Sequence, residues 1–360
     1  MIGLRDLEEI VWPSKCSVPN SFKSLFELQK LVLLDVGAAY GLDDRFDRIR
    51  ELCWRIAVEP DARSDIGDAE EILNVALSDV RGVAELYLTR FPAASSLHRV
   101  NESAMRDFAN WSLHEEVGRS EVETVSLDEL VSEIHYMPDF IKTDTEDHDY
   151  HVLNGAVHVI DSGVLGIQAE VSLHARHENG PTFPPIFRLL TDKGFQLQLL
   201  ARESWLRKNL LWGSNSQPQV VWADAVFFLT PQRFLEMLEA RDPEMRGNLL
   251  GRYVLLLLSY HCHDYAISII EASQDLVSDS CRENCLEAVK SNVHAPFTNL
   301  LMAGLGVLLA VPIYLLGMIT WFKRRSSTAF LKRRARYFAH RLLQTVSRAG
   351  AYRDAVSDVF

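Results

Sequence analysis

The sequence predicts an α/β fold. Its core is a parallel sheet of the nucleotide-binding kind flanked by helices, followed by a helical extension and a hydrophobic segment. Three observations carry that reading. Leu31-Val32-Leu33-Leu34 is a short apolar run that ends in Asp35-Val36-Gly37-Ala38-Ala39-Tyr40-Gly41, as a buried parallel strand entering a small-residue turn does. A second apolar piece, Ile56-Ala57-Val58, ends in Glu59. Residues 291–322 contain no Lys, Arg, Asp or Glu and run directly into Lys323-Arg324-Arg325.

The first two observations describe strand, glycine turn, helix, strand and acid, the layout of a nucleotide-binding half-sheet. Glycines let backbone approach a ligand that a Cβ would block. An acid at the tip of the second strand can accept both ribose hydroxyls of an adenosine. The turn is not G-x-G-x-x-G, because only Gly37 and Gly41 are glycine, and no Lys-Ser/Thr follows for a triphosphate. A ligand with adenosine but no pyrophosphate fits this pattern, and S-adenosylmethionine is the common one. The competing reading is an ordinary α/β strand end with a glycine turn.

Further elements follow in order. Strands are expected at residues 31–36, 55–59, 71–77, 140–143, 166–171, 195–200 and 225–229, with an added strand near 83–88. Asn74-Val75-Ala76-Leu77-Ser78-Asp79 ends in polar residues, and Pro92-Ala93-Ala94-Ser95-Ser96-Leu97 is a small-residue loop. Ser126 opens a helix as N-cap, with Glu129 at the capping-box position. Asp35, Glu59, Asp79, Asp144 and Glu170 all fall at or near expected strand ends, where such sheets bind ligands. Each of these acids alone is also compatible with a helix cap.

Composition describes a buried core and a reducing compartment. Hydrophobic residues make up 48% of the 360, which excludes a disordered chain. The odd number of cysteines, 5, and their scatter argue against a disulfide framework. The start of the chain has acids at Asp6, Glu8 and Glu9 and no apolar core, so it does not read as a secretory signal. Charge is uneven: residues 299–360 carry 10 basic and 2 acidic side chains, whereas residues 1–298 carry 27 and 47. The acidic body excludes a nucleic-acid partner.

The basic end calls for lipid. Residues 300–322 are long enough to cross a bilayer core of about 30 Å as a helix. Trp321 and Phe322, followed by cations, suit the headgroup zone. Leu331, Phe338, Leu342 and Val346 form an apolar stripe beside Lys332-Arg333-Arg334 and Arg336, as in a basic amphipathic helix lying on anionic lipid. The other reading is a helix packed on the body or on a second subunit. A single crossing would put the basic tail outside, against the positive-inside tendency. Pro312, near the middle of the run, favours a bend and a re-entrant path that keeps body and tail on the cytosolic face. The expected organisation is therefore a lead-in at 1–30, a catalytic domain at 31–230, a helical extension at 231–298, a membrane segment at 299–322 and a basic amphipathic tail at 323–360. The catalytic domain is placed in the cytoplasm.

Taken in order, the turn at 35–41, Glu59, 74–79, 83–88, 92–97, 126–130, Asp139-Phe140-Ile141-Lys142-Thr143-Asp144, Val152-Leu153-Asn154-Gly155-Ala156, Gly166-Ile167-Gln168-Ala169-Glu170-Val171 and Asp224-Ala225-Val226-Phe227-Phe228 resemble the FkbM-type family of class I S-adenosylmethionine-dependent methyltransferases. The resemblance covers about residues 31–230. It implies a Rossmann-like class I methyltransferase sheet, S-adenosylmethionine as cofactor, and methyl transfer to a hydroxyl on a sugar or a secondary metabolite.

On that reading Gly37, Ala38 and Gly41 let the loop approach the amino-acid part of the donor. Asp35 orients the loop or the donor ammonium, Glu59 holds the ribose, and Ser78 and Asp79 border the adenine. An alcohol needs a base to take its proton. Asp144 is the first candidate, His148 and His174 are the titratable alternatives, and Glu170 is an orienting carboxylate. His261 and His263 read as ordinary helical residues, and no metal ligand is assigned.

One segment departs from the family pattern. After Asp144 the family usually shows a small residue, often glycine, and then a glutamate two positions on; here Asp147 takes the glycine place and Asp149 the glutamate place. The acids and histidines of 145–151 are compatible with a divalent cation that polarises the hydroxyl, or with an acidic helix start at a positive dipole end. Two function classes stay open. One is a membrane-associated O-methyltransferase acting on a glycan, a lipid-linked sugar or a secondary metabolite. The other is a methyltransferase-fold scaffold that has lost turnover. A nicotinamide oxidoreductase is disfavoured by the missing second glycine. The partners expected are the acceptor molecule, membrane lipid along 299–345 and, as an open option, a second copy of the chain.

Overall fold

Strand β1 (Leu31–Val36) is buried at every position, and the architecture is assembled around it. The structure, a computed structural model, describes residues 18–41, 44–134, 136–208 and 217–292. The membrane segment and basic tail expected at 299–360 lie outside the described residues. Among the described residues, no helix is long and apolar enough to cross a membrane.

The remaining strands are β2 (Cys53–Val58), β3 (Glu71–Leu73), β4 (Ala76–Leu77), β5 (Gly82–Thr89), β6 (Glu116–Val125), β7 (Phe140–Thr143), β8 (Gly166–Ser172), β9 (Phe195–Trp205) and β10 (Gln219–Leu229). Seven of the ten form one mixed sheet in the order β3-β2-β1-β7-β8-β10-β9. Strands β2, β1, β7 and β8 run parallel, and β10 runs antiparallel to both neighbours. The register places Val36 opposite Val58 on one side and Thr143 on the other, so the carboxyl ends of the three strands are level. After β1 the chain builds outward to β2 and β3, then returns to lay β7 on the opposite side. That reversal makes the edge between β1 and β7 the switch point at which open α/β sheets bind ligands.

The strand expected at 71–77 is two strands. Asn74 and Val75 interrupt it, and the chain leaves the main sheet for a second one ordered β4-β6-β5. Strand β6 escapes the sequence reading because its burial alternates weakly and most of its side chains face solvent. It is held by its antiparallel pairing with β5 along nearly its full length.

Eight helices matter here: α1 (Leu127–Ile134), α2 (Asp149–Asn154), α3 (Val157–Gly163), α4 (Phe183–Asp192), α5 (Pro231–Glu239), α6 (Pro243–Ser259), α7 (His263–Ala272) and α8 (Asp279–Asn292). The capping box of α1 is formed: Glu129 N–H donates to Ser126 Oγ at 3.3 Å, and Ser126 N–H donates to Glu129 Oε2 at 3.4 Å. Helix α6 is buried at every position from Asn248 to Ser259, which makes it a core helix. The segment read as a helical extension is thus packed on the sheet: the Tyr253 hydroxyl donates to the Leu229 carbonyl, and Tyr260 meets the rings of Phe140 and Phe228.

The strongest tie between α6 and the sheet is ionic. Arg252 Nη1 bonds Asp139 Oδ1, while Asp139 Oδ2 accepts the Val32 N–H at 2.8 Å; both side chains are buried. Removing one member of such a pair strands the other charge away from water. We expect Arg252→Ala to lower unfolding free energy by about 3–5 kcal/mol. Chemical denaturation followed by far-ultraviolet circular dichroism measures this, and a loss below 1 kcal/mol would show that the pair is not holding the helix.

Candidate active site

The turn after β1 is shaped by contact with the end of β7. Gly37 has φ +77°, and a Cβ there would lie 2.0 Å from the Asp144 carbonyl oxygen. Its N–H donates to the Val58 carbonyl at 2.9 Å, as does that of Ala38 at 3.3 Å. Gly37 therefore makes room first for protein backbone. Gly41 also has φ +77°, against the Ile66 carbonyl. Ala38 is buried, and neither Ala38 nor Gly41 lines the cleft described next; Gly37 and Ala39 do.

That cleft opens at the carboxyl ends of β1, β2 and β7 and has a cavity volume of about 50 Å³. Val36, Val58, Leu77 and Leu86 give it apolar walls, and Glu59, Asp144 and His148 supply its ionisable groups. Glu59 is only 6% exposed. Its Oε1 accepts the Asp61 N–H at 2.7 Å. Burial, only partly offset by these backbone bonds, pushes its pKa up to about 7. Asp61, which the sequence reading missed, pairs with Arg63 at 2.6 Å, and Arg63 also bonds Ser95 on the cleft wall at 3.1 Å.

Asp35 lies under the turn. Lys142 Nζ donates to its Oδ1 at 3.0 Å and sits 3.5 Å from Asp144 Oδ2. Burial works against the Lys142 ammonium, yet the charges of Asp35 and Asp144 outweigh it and keep the proton in place. Asp35 Oδ2 is buried and has no hydrogen-bond partner among the described residues. Asp144 presents its carboxylate at the cleft, with 36% of its side chain exposed.

Beyond Asp144 the chain enters the left-handed region at Glu146 (φ +52°) and Asp147 (φ +72°). Asp147 thus holds a conformation that favours glycine, and aspartate is among the residues that tolerate it. Arg176 holds it there. That guanidinium, 1% exposed, bonds Asp147 at 2.6 Å, Glu146 at 2.7 Å, and Glu170. His177 adds a 3.0 Å contact to Asp147. One cation cannot neutralise three buried acids. Burial therefore raises Glu146 to about 8 and Glu170 well above its usual range, while for Asp147 the pull of Arg176 and His177 overcomes burial and lowers the pKa. Asp149 is buried beside them, bonded by the Thr143 hydroxyl, and burial raises it to about 7. Glu170 thus belongs to this cluster and does not line the cleft.

The histidines of the loop face elsewhere. His148 Nε2 lies 3.0 Å from Ser78 Oγ, and its Nδ1 lies 3.1 Å from His98 Nε2. His151 Nδ1 lies 3.2 Å from Asp79 Oδ2. Burial and then repulsion between the imidazoles pull His148 down to about 3 and His98 to about 4. Ser78 and Asp79 are engaged with these rings, and the strand-end residue that lines the cleft is Leu77. His98 is a residue that sequence reading missed; no spacing links it to a loop some 50 residues on. His174 is in neither group. It sits against Phe108, with Nε2 near the Ala104 carbonyl at 3.3 Å and Nδ1 near Gln219 at 3.2 Å.

Fold and cleft together define the nucleotide-binding α/β class, with its ligand site at the switch point of the sheet. Residues 35–197 match the family model of the Methyltransferase FkbM domain, so this region of the chain is similar to that methyltransferase domain. No curated protein matches the chain. Among solved structures, the methyltransferase FkbM of Methylobacillus flagellatus KT aligns at 14% identity and a TM-score of 0.30, covering 55% of this chain and 43% of its own length. The chain thus spans less than half of that relative. Streptococcus pneumoniae Sp1610, a candidate tRNA (m1A22) methyltransferase, aligns at 10% identity and a TM-score of 0.26, covering 77% of this chain and all of its own.

The raised pKa of Glu59 has a stability consequence. Its unfolded value is near 4.5, so the native state holds a proton that the unfolded chain has already lost. Its contribution is complete below about pH 4.5 and is lost as pH rises through about 7. In ligand-free protein, wild type should lose more stability than Glu59→Gln between pH 5 and pH 8. Parallel pH profiles for the two proteins in thermal melts would refute this.

Proposed function

We propose that the protein is an S-adenosylmethionine-dependent O-methyltransferase. Its acceptor is a hydroxyl of a glycan, a lipid-linked sugar or a secondary metabolite, and it works at a membrane from the cytoplasmic side. The observation that carries the reading is the switch-point cleft, where a buried acid at the end of β2 faces a glycine turn and the Asp144 carboxylate. S-adenosylmethionine, when bound, supplies an electrophilic methyl group on a sulfonium.

The residues present fit that group. Glu59 is an acceptor for ribose hydroxyls, and the walls at Val58, Leu77 and Leu86 suit an adenine. Catalysis of an in-line displacement is largely positioning. Asp144 is the group at the cleft able to accept the acceptor's proton, and Lys142 beside it steadies the carboxylate. His148 also reaches the cleft wall, but the pull-down of its pKa and its contacts to Ser78 and His98 make it a weaker base. Membrane attachment is assigned to residues 299–345, on the uncharged run and the basic stripe that follows it.

Two variants test the active-site reading together. Glu59→Ala should weaken S-adenosylmethionine binding by about 1–3 kcal/mol in calorimetry. Asp144→Asn should bind the donor nearly as wild type does and lose methyl transfer by about 100-fold or more. Unchanged donor affinity in Glu59→Ala, or preference for NAD, would overturn the donor assignment. Donor binding by wild type with no turnover on any hydroxyl acceptor would favour the scaffold reading.

The attachment is tested by fractionation. The full-length chain should sediment with membranes and stay there through a high-salt wash, since salt screens only the basic tail. A chain that is soluble and monodisperse without detergent would place residues 300–322 in a packed helix.

A further inference from the structure

His98, His148 and His151 bring one ligand nitrogen each to within 4.8 Å of the others. We propose that these three imidazoles form a binding site for one zinc-type divalent metal ion, at the edge of the cleft that His148 also lines.

The pair His98 Nε2 and His148 Nδ1 already stands 3.1 Å apart. Two nitrogens bound to the same tetrahedral zinc at the usual bond length are separated by about 3.3 Å. That pair is thus at coordination spacing, and only the wider separations to His151 must close. The outer nitrogens are held as metal-bound histidines are held. His148 turns its other nitrogen to Ser78 Oγ at 3.0 Å, and His151 turns Nδ1 to Asp79 Oδ2 at 3.2 Å, leaving Nε2 as its ligand atom. A carboxylate or hydroxyl behind a ligating imidazole fixes its ring and tautomer and raises its basicity.

The ligands sit on supported backbone. His148 and His151 are one turn apart at the start of α2, and Ser96, whose hydroxyl donates to the Glu146 carbonyl at 2.6 Å, also accepts the His98 N–H at 3.0 Å. The loop that carries His98 is thereby fastened to the loop that carries the other two. Three imidazoles with no thiolate select a borderline ion such as zinc over magnesium or calcium. A three-histidine set leaves the fourth tetrahedral position for water or for an oxygen of the acceptor.

The carboxylates of the same loop do not belong to this site. Glu146 and Asp147 are bonded to Arg176, and Asp149 is bonded to Thr143.

The proposal is tested on the full-length protein with the metal itself, so its outcome is independent of methyl transfer. Zn²⁺ titrated against a chromophoric chelator should bind one equivalent tightly. His98→Gln and His151→Gln should each weaken that binding by about 100-fold or more. Asp79→Asn keeps all three imidazoles and should weaken it by about 10- to 100-fold. Co²⁺ should give the visible bands of a tetrahedral nitrogen site without thiolate charge transfer. If the glutamine variants do not fold by circular dichroism, the Asp79→Asn affinity and the wild-type cobalt spectrum decide the matter. Absence of a stoichiometric ion, unchanged affinity in folded histidine variants, or a thiolate charge-transfer band would each overturn the proposal.

Discussion

The site depends on the Arg176 guanidinium more than on any other single group. It is buried just beyond the end of β8 and binds Glu146, Asp147 and Glu170 at once. Taking so many ionisable groups out of water is expensive, and the expense is reduced in two ways. Every carboxylate has a donor, and Arg176 offsets part of the acid charge; burial still raises Glu146 and Glu170, while the pull of Arg176 and His177 lowers Asp147. The return is geometric. The cluster pins two consecutive left-handed residues, Glu146 and Asp147, and thereby fixes the direction in which the chain leaves Asp144 and enters α2. Asp144 can face the cleft because the residues after it are tied down behind.

Asp147 in the left-handed region has a physical account in its neighbours. A glycine at position 147 would supply the left-handed conformation at no steric cost. Aspartate supplies it with compensation: its carboxylate is held by Arg176, Ser172 and His177, and Gly180 leaves space where any Cβ would meet the Asp147 side chain. Asp149, in the glutamate place, keeps an acid under the strand end through Thr143 and the Thr145 N–H. The loop is therefore rebuilt around its substitutions. Glu146 and Asp147 are turned to Arg176, and His148 and His151 to His98, Ser78 and Asp79, which separates two groups that the sequence shows as one mixed run.

What was legible in the sequence follows from what is local. Strand β1, the turn at Gly37, Glu59 at the end of β2, the capping box of α1 and Asp144 at the end of β7 are each written in a few consecutive residues, and the sheet order then brings the strand ends level. What was not legible depends on distance in the chain. Arg176 meets acids up to 30 residues away, and His98 meets His148 from 50 residues away; neither partnership leaves a spacing to read. Strand β6 is hidden for another reason: solvent covers most of it, so the alternation that betrays a strand is missing. Glu170 and His174 show the converse failure. Both have the right chemistry near a strand end, but one is turned to Arg176 and the other to Phe108.

The Gly37 contact refines the usual meaning of a glycine turn. A Cβ at this position would collide with the Asp144 carbonyl before it reached any ligand, so the residue joins the end of β1 to the end of β7. The two strands on either side of the switch point are locked at the place where the cleft begins. A turn that holds its neighbours this closely has its N–H groups already committed, Gly37 and Ala38 both to the Val58 carbonyl. The acids near this end are Glu59 at one strand tip and Asp144 at another, both lining the cleft, and Asp35 beneath, whose second oxygen is buried with no partner among the described residues. The Lys142 ammonium lies between Asp35 and Asp144 and offsets part of their charge.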